Sequence, residues 1–307
     1  MEKLVGRGSK RAARDFRIIG AASGAGAQDP GCAAGPQAFH HSQAWQTLSA
    51  KHAIHWGATL FAPQAGTSAQ RIAGLCRKLA AAVEETLAAG EFPLVLGGDH
   101  SVAIGTWSGV ARHLGQAPGL LWIDAHLDSH TPASSYTGAV HGMPLACLLG
   151  QGDKRFLQFG LPERQIDPAR SVVFGARSFE PEECRLLERL GVQVITAAEL
   201  ASEGFAAGLD RALGIVTAGG AAFGVTLDLD AIDPAWAPGV GSPEPEGLRA
   251  EDLRTALAWI ASLPGFTALE IVEYNPDRDR FASTAQVLAD LLESVIALAP
   301  AAAHGGY

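Results

Sequence analysis

The sequence predicts an α/β fold in which a parallel β-sheet lies between layers of helices. Eight short apolar runs alternate with longer segments whose apolar residues recur at helical spacing, a pattern typical of parallel strands connected by helices. Several of the apolar runs end in acidic or imidazole side chains, at the strand ends where open α/β sheets build their sites. An eight-stranded barrel would give the same alternation, so this pattern leaves both architectures open.

The individual elements follow from local periodicity and from turn residues. The predicted strands cover residues 16–20, 53–58, 93–96, 119–124, 171–175, 192–195, 222–228 and 267–272. The predicted helices cover residues 67–89, 101–114, 141–150, 180–190, 202–216, 250–262 and 283–298. A long Gly- and Ala-rich loop, 21–35, follows the first strand, and its small residues can lie close to a ligand or to another backbone segment.

Composition and charge restrict the class of protein. The 307 residues, 48% of them hydrophobic and 18% charged, fit one large globular domain, 1–307. A net charge of −9 argues against a nucleic-acid partner, and no apolar stretch approaches the length of a membrane span. The basic segment 1–14 lacks the apolar core of a signal peptide, so we expect a flexible tail there. The scattered cysteines favour a reducing, cytoplasmic location.

The stretch 122–128 (WIDAHLD) ends the strand at 119–124 with three potential metal ligands. In an extended chain, side chains alternate between the two faces, so Asp124, His126 and Asp128 point the same way. A polar strand exit, with the acids capping the next element, would explain this stretch equally well on its own.

Two further strands end in the same kinds of side chain. Asp228 and Asp230 alternate at the end of the strand at 222–228, and His100 follows two glycines after the strand at 93–96. Four carboxylates at one edge of a sheet repel one another, and two or more cations explain their coexistence. Because the ligand set is rich in carboxylates and has no thiolate, it favours Mn²⁺ over Zn²⁺.

In order and spacing, these motifs resemble those of the arginase/agmatinase (ureohydrolase) family, and arginase most closely. The resemblance rests on 97–101 (GGDHS), 124–128 (DAHLD), 141–144 (HGMP), 228–234 (DLDAIDP), 238–243 (PGVGSP) and 273–276 (EYNP). It implies a three-layer α/β/α sandwich with a mostly parallel eight-stranded sheet, and therefore not a barrel. It also implies a hydrolase that holds two Mn²⁺ ions per chain.

Carried over residue by residue, the resemblance assigns the metal ligands. One ion would be bound by His100, Asp124, Asp128 and Asp228, and the other by Asp124, His126, Asp228 and Asp230. A hydroxide held between the two ions would attack the guanidinium carbon. The products would be urea and an amine.

The resemblance also implies three catalytic side chains. Glu273 would hold the guanidinium group, since one carboxylate can accept two N–H donors. Asp128 would carry a proton to the departing amine, and His141 would exchange protons with solvent. Without the resemblance, His141 could be a histidine at a helix start, and Glu273 could cap a strand end.

The residues expected at the far end of the substrate depart from the family pattern. The loop 129–140 matches in length the arginase loop that binds the α-carboxylate, and Ser135 and Thr137 are its candidate donors. His130 and Ala139 stand where arginases commonly have asparagines. These two changes remove two contacts to the amino acid.

The segment that binds the α-amino group is also altered. Residues 175–183 resemble that arginase segment and would supply Glu180 and Glu183, but Glu180 replaces the usual Asp. The extra methylene displaces the ammonium site by about one bond length. Glu246 likewise replaces a usual Gly.

Other polar residues near the motifs have structural interpretations. Asp99 orients the loop beside His100, and Asp233, before a proline, forms a turn. Residues 278–280 (RDR) are interpreted as a solvated charge run.

The hypothesis is therefore a cytoplasmic, binuclear manganese hydrolase of arginine metabolism that converts L-arginine to L-ornithine and urea. Hydrolysis of another guanidino acid, such as guanidinobutyrate, or of formiminoglutamate is the alternative. A single-metal deacetylase and a silent metal-binding regulator are the alternatives from other classes. The resemblance also suggests a homotrimer or homohexamer, with a small guanidino substrate as the partner and neither nucleic acid nor membrane.

Overall fold

A computed structural model describes residues 15–297. The predicted tail at 1–14 lies outside the described residues, as does the end of the chain from 298. The described residues form eight strands, which are β1 (Phe16–Ala22), β2 (Ile54–Phe61), β3 (Phe92–Gly97), β4 (Gly119–Ile123), β5 (Ser171–Ala176), β6 (Gln193–Thr196), β7 (Phe223–Asp228) and β8 (Phe266–Val272). All eight predicted strands are present, shifted by at most a few residues at their ends.

The strands form one open sheet in the order β2-β1-β3-β8-β7-β4-β5-β6. Every pairing between neighbouring strands is parallel. The sheet has two free edges, β2 and β6, so it is not a barrel. The predicted open α/β architecture is confirmed, and the sheet is wholly rather than mostly parallel.

Helices cover both faces of the sheet. They are α1 (Gly35–His40), α2 (Gln43–Lys51), α3 (Ser68–Ala88), α4 (Ala103–Leu114), α5 (Pro144–Leu148), α6 (Pro181–Leu190), α7 (Ala197–Glu203), α8 (Phe205–Val216), α9 (Ala250–Ser262) and α10 (Ser283–Ile296). One apolar core contains residues of α1, α2 and α7 to α10, and the other contains residues of α3 to α6. Alternate residues of β4 enter the two cores: Leu121 and Ile123 enter the first, and Leu120 and Trp122 enter the second.

Two of the predicted helices differ clearly from the structure. The helix predicted at 141–150 is only the short α5, because Pro144 fixes its start and Gly150, with φ of +80°, follows its end. The helix predicted at 202–216 is interrupted at Gly204, whose φ is +91°. Helix α7 ends just before this glycine and α8 begins just after it.

The segment 21–35, predicted as a loop, contains regular secondary structure. It contains the end of β1 and a 3-10 turn, Pro30–Ala34, that leads into α1. The next helix, α2, was not predicted at all. Its start carries a local signal, since the side chain of Ser42 accepts a hydrogen bond from the backbone N–H of Trp45.

The strand order determines where the candidate site lies. Strands β3, β8, β7 and β4 are consecutive neighbours, and parallel strands bring their carboxyl ends to the same edge. That edge therefore collects the side chains that follow these four strands. Among residues 15–297, no helix combines the length and hydrophobicity needed to span a bilayer.

Candidate metal and active site

Histidine and aspartate side chains converge at this edge around the ring of His100. Its Nδ1 lies 3.1 Å from Oδ2 of Asp124, 3.0 Å from Oδ2 of Asp128 and 3.3 Å from Oδ2 of Asp228. All four side chains are buried. Three sequence-distant motifs thus contribute ligand atoms to one cluster.

A second group adjoins the first and shares Asp124 with it. Nδ1 of His126 lies 3.1 Å from Oδ2 of Asp230 and 3.5 Å from Oδ1 of Asp124. Together the two groups contain the six side chains that the sequence proposes as metal ligands. Their chemistry, imidazole nitrogen with several carboxylate oxygens, is that of a site for divalent cations.

The electrostatics of the cluster fit bound cations. Nδ1 of His100 is buried and makes no hydrogen bond of regular geometry, although three carboxylate oxygens lie within 3.3 Å. Burial and the charge of Asp124 raise the pKa of Asp128. Burial and the charges of Asp230 and Asp124 raise the pKa of Asp228. A divalent cation would satisfy the nitrogen and remove this repulsion.

Hydrogen bonds within the protein hold the ligand carboxylates in place. The indole Nε1 of Trp122 donates to Oδ2 of Asp124 at 2.8 Å, and the backbone N–H of His126 donates to Oδ1 at 2.8 Å. The backbone N–H of Asp230 donates in the same way to Oδ1 of Asp228 at 2.8 Å. The carboxylates are therefore oriented by the strand ends themselves.

Asp99 supports the loop before His100, as its interpretation from sequence requires. Its buried carboxylate accepts hydrogen bonds from Oγ of Ser23 and from the backbone N–H groups of Gly26 and Ser101, each at 3.0 Å. A Cβ on the neighbouring Gly98 would overlap the backbone of Ser23. This position therefore requires glycine, and the loop 23–26 packs directly on the metal motif.

Glu273 lies beside the cluster and is almost completely buried. Its Oε1 accepts a hydrogen bond from the backbone N–H of His100 at 2.9 Å and one from Nδ1 of His141 at 3.2 Å. Its Oε2 accepts from Sγ of Cys32 at 3.0 Å. Burial alone would raise the pKa of Glu273, but His141 and these donors lower it, so the group is held as a carboxylate.

Asp128 and Glu273 both have left-handed backbone conformations, with φ of 47° and 65°. Such a conformation costs about 1–2 kcal/mol for a residue with a Cβ. Backbone hydrogen bonds hold both residues there. Leu145 N–H donates to the carbonyl of Asp128 at 2.9 Å, and Glu273 N–H donates to the carbonyl of Gly98 at 2.8 Å.

A cavity of about 280 Å³ opens next to the two groups. It is lined by metal-type ligands and by the predicted substrate residues, namely His126, Asp128, His130, Ser135, Thr137, His141, Glu180, Glu183, Asp228 and Asp230. His100, Asp124 and Glu273 lie behind this lining and are buried. All the residues that the sequence proposed for the site therefore lie in one region.

His130 contacts the residues expected to bind an ammonium group. Its Nε2 lies 3.0 Å from Oε2 of Glu180 and 3.5 Å from Oε2 of Glu183, and its Nδ1 lies 3.1 Å from Oγ of Ser134. Glu183 is buried and accepts hydrogen bonds from the backbone N–H groups of Ser129 and Glu180. Burial, opposed by those donors, raises its pKa to about 8.

The hydroxyl groups of the loop 129–140 can donate into the cavity. Oγ of Ser135 accepts from the N–H of Gly138 at 3.0 Å, and Oγ1 of Thr137 accepts from the N–H of Ala139 at 3.2 Å. Since each hydroxyl group is an acceptor in these bonds, its own proton is left for a ligand. The loop thus presents two donors with fixed oxygen positions.

Two residues that shape the site were missed or misjudged in the sequence. The guanidinium of Arg177 donates to the carbonyls of Asp230 at 2.7 Å and of Glu244 at 2.8 Å, so it ties the third metal motif to the loop that follows it. The charge run 278–280 is not simply solvated. Arg278 donates to Oδ2 of Asp29 at 2.7 Å and to the carbonyl of Gly241 at 2.8 Å.

Two of the remaining sequence interpretations fit the structure. Asp233 forms the turn after the third motif, where it accepts from the N–H groups of Ala235 and Gly247. Glu246 has a φ of 59°, a conformation that favours the glycine expected at that position.

An open parallel sheet with a carboxylate- and imidazole-rich cluster at one edge defines a class of α/β protein built to hold cations. Comparison with known proteins gives the family within this class. Residues 14–297 match the sequence model of the arginase family. The arginase of Brevibacillus brevis is 40% identical over 218 residues, which cover 71% of this chain and 73% of the relative.

Two further matches extend over nearly the whole chain. The arginase of Agrobacterium fabrum is 32% identical over 297 residues, covering 91% of this chain and 90% of that protein. The crystal structure of arginase from Bacillus subtilis matches with a TM-score of 0.84 and 31% identity, covering 92% of this chain and 98% of that one. The chain belongs to the arginase family. It is a ureohydrolase, and the predicted family is confirmed.

The contact between His141 and Glu273 predicts a shifted titration in the metal-free protein. Burial lowers the pKa of His141, but the hydrogen bond and charge of Glu273 raise it by a larger amount, so that the pKa is about 9. Since this lies above the ordinary 6.5, protonation of His141 stabilises the fold fully at pH 6.5 while Glu273 is ionised, and this contribution is lost as the pH rises through about 9. Glu273→Gln should lower the titration midpoint of His141, measured by NMR on the histidine ring.

Glu244→Gln is the matched control, because it removes a carboxylate that lies near His126, 3.7 Å from its Nε2. In that variant the midpoint of His141 should stay near 9. An unchanged midpoint in Glu273→Gln would show that the contact does not control this histidine.

Proposed function

We propose that the protein is a binuclear manganese arginase that hydrolyses L-arginine to L-ornithine and urea. One observation supports this above the others: Nδ1 of His100 faces three carboxylates within 3.3 Å, directly beside the buried carboxylate of Glu273. A cation site next to a carboxylate that can bind a guanidinium group matches the requirements of guanidinium hydrolysis. The family supports a ureohydrolase reaction, and this geometry supports its details.

The proposed ligands fall into two sets with two shared members. They are His100, Asp124, Asp128 and Asp228 for one ion, and Asp124, His126, Asp228 and Asp230 for the other. Two divalent ions, when bound, lower the pKa of a shared water enough to supply a nucleophile at neutral pH. Mn²⁺ is proposed because oxygen ligands outnumber imidazoles in both sets.

Glu273 is proposed to bind the guanidinium group of the substrate. It is held as a carboxylate, and its position is fixed by the backbone N–H of His100 and by the thiol of Cys32. A carboxylate can accept further N–H donors beyond these bonds. Two bonds to a planar guanidinium would fix its carbon in line with the nucleophile, which is the main requirement for attack on a poor electrophile.

Asp128 and His141 are proposed to handle protons. Asp128 lines the cavity next to the cation site, so it can pass a proton to the departing amine. The side chain of His141 is 25% exposed while its Nδ1 contacts Glu273. It therefore connects the buried site with solvent, as a proton shuttle must.

The far end of the cavity is proposed to bind the α-carboxylate and the α-amino group. Ser135 and Thr137 can donate their hydroxyl protons to the carboxylate. Glu180 and Glu183 line the same cavity and supply carboxyl oxygens for an ammonium group. The two sets of groups match the two charges of an amino acid.

The direct test is urea release from L-arginine, agmatine and 4-guanidinobutyrate by protein incubated with Mn²⁺, against a chelated control. Manganese-dependent urea from L-arginine alone is the expected result. Urea from another compound would keep the metal chemistry and reject arginine as the substrate. No urea from any of the three would reject the proposed reaction.

One contact favours a second candidate, a guanidino acid that lacks the α-amino group. Nε2 of His130 already lies 3.0 Å from Glu180, the carboxylate expected to receive the ammonium. Because His130 already contacts this carboxylate, Glu180 has a partner without an ammonium group on the substrate. In that case 4-guanidinobutyrate would be the preferred substrate in the panel.

Glu180→Gln separates the two candidates. If Glu180 binds the α-ammonium, losing a hydrogen bond to a charged group should lower kcat/KM for L-arginine by about 10- to 150-fold, the equivalent of about 1.5–3 kcal/mol. The value for 4-guanidinobutyrate should hardly change. Steady-state kinetics with both compounds measures this difference.

Glu182→Gln is the matched control, since Glu182 lies in the same helix turn but pairs with Arg185 at the surface. It should leave both substrates unaffected. Equal kcat/KM values for L-arginine in wild type and Glu180→Gln would argue against ammonium binding by Glu180.

A further inference from the structure

A fully buried carboxylate, Glu270, lies behind the metal cluster and takes no part in the proposed reaction. Its Oε2 accepts a hydrogen bond from Oγ1 of Thr226 at 2.7 Å, and its Oε1 accepts one from the hydroxyl of Thr106. A buried carboxylate is costly even when it is hydrogen-bonded. An apolar residue at this position would avoid that cost, so the polar group calls for an explanation.

The register of the sheet places Glu270 in a row with the ligand strands. Trp122 of β4 pairs with Thr226 of β7, which pairs with Glu270 of β8. Side chains two residues apart share a face, so this row lies directly behind Asp124 and Asp228. The row and the ligands therefore belong to the same face of the sheet.

Thr226 connects this row to His100. Oγ1 of Thr226 lies 3.1 Å from Nε2 of the histidine. A hydroxyl group has one proton, and Thr226 gives it to Glu270, so its oxygen must accept the bond from Nε2–H. His100 then carries a proton on Nε2, and the lone pair of Nδ1 points at the carboxylates of the cluster.

We propose that Glu270 and Thr226 are positioning residues that set the tautomer and the ring orientation of His100 for metal binding. This inference rests on the proposed cation site and extends it inward. Trp122 completes the arrangement, because its ring stacks on the imidazole with a centroid distance of 4.2 Å and an angle of 19°. The ring plane and the donor nitrogen are thus both fixed by residues that touch neither substrate nor metal.

The second histidine of the cluster is supported differently. Nε2 of His126 faces Oε1 of Glu244 at 3.7 Å, and its side chain is 25% exposed. Since this side chain is partly exposed, water can replace a protein partner there. His100 is buried, so its Nε2 depends on Thr226 as a hydrogen-bond partner. The hydrogen bond from Thr226 to Glu270 fixes the direction of this contact and so matters at this ligand.

Thr106 gives a matched control, since it donates to the same carboxylate but has no hydrogen bond to His100. Thr226→Val and Thr106→Val each remove one hydroxyl donor from Glu270 without a large change in volume. Both should destabilise the metal-free protein in thermal unfolding, Thr226→Val by more because it also leaves Nε2–H of His100 without its acceptor. Only Thr226→Val should impair metal binding.

The experiment is a titration of the metal-free full chain with Mn²⁺, followed by calorimetry and by the EPR signal of free Mn²⁺. Thr226→Val should weaken Mn²⁺ binding by about 10- to 100-fold, as for loss of the partner of a ligating histidine. Thr106→Val should bind nearly as wild type, and Thr226→Ser, which keeps the hydroxyl, should restore affinity.

Equal Mn²⁺ affinities in Thr226→Val and Thr106→Val would overturn the inference while leaving the cation site intact. A wild-type chain that binds no Mn²⁺ would reject the proposed function, and the inference with it. Since affinity is measured without substrate, neither result depends on which guanidino compound the enzyme hydrolyses.

Discussion

The structure of the site depends on one electrostatic constraint, the convergence of four aspartates in a buried space at the edge of the sheet. Like charges at these distances repel strongly in a medium of low polarity. The protein reduces the repulsion with two imidazoles and with N–H donors that hold Asp124, Asp228 and Asp230. These donors orient the acids but do not neutralise them. The remaining negative charge is what makes the edge a site for cations.

The surrounding backbone is adapted to the same constraint. Asp128 and Glu273 adopt left-handed conformations that are unfavourable for residues with a side chain. Asp128 is held by a hydrogen bond from Leu145 of α5 and Glu273 by one to Gly98, and the loop 23–26 beside Gly98 is fixed in turn by Asp99. The backbone at Glu273 thus turns its carboxylate toward the histidine and aspartate cluster. Stability and site geometry are therefore provided by the same contacts.

Much of this arrangement could be predicted from local sequence pattern. Alternation with period two identified the ligand-type side chains after β4 and β7. The chain does not stay extended there, since Asp128 has a φ of 47° and Leu229–Ala231 form a 3-10 turn. Side chains held by sequence-distant contacts could not be found in this way. Cys32 meets Glu273 and Thr226 meets His100 only because β1, β3, β7 and β8 are brought together by the sheet order. Arg278 was misjudged for the same reason, since its partner Asp29 is remote in sequence.

The proposed binding of two cations as a pair by the carboxylate cluster is tested most directly by equilibrium dialysis of the metal-free chain against Mn²⁺, with EPR of the loaded protein. Two Mn²⁺ per chain are expected, with the spectrum of an exchange-coupled pair, as for ions about 3.5–4 Å apart with shared ligands. One Mn²⁺ per chain, or two ions with the spectrum of isolated Mn²⁺, would contradict it.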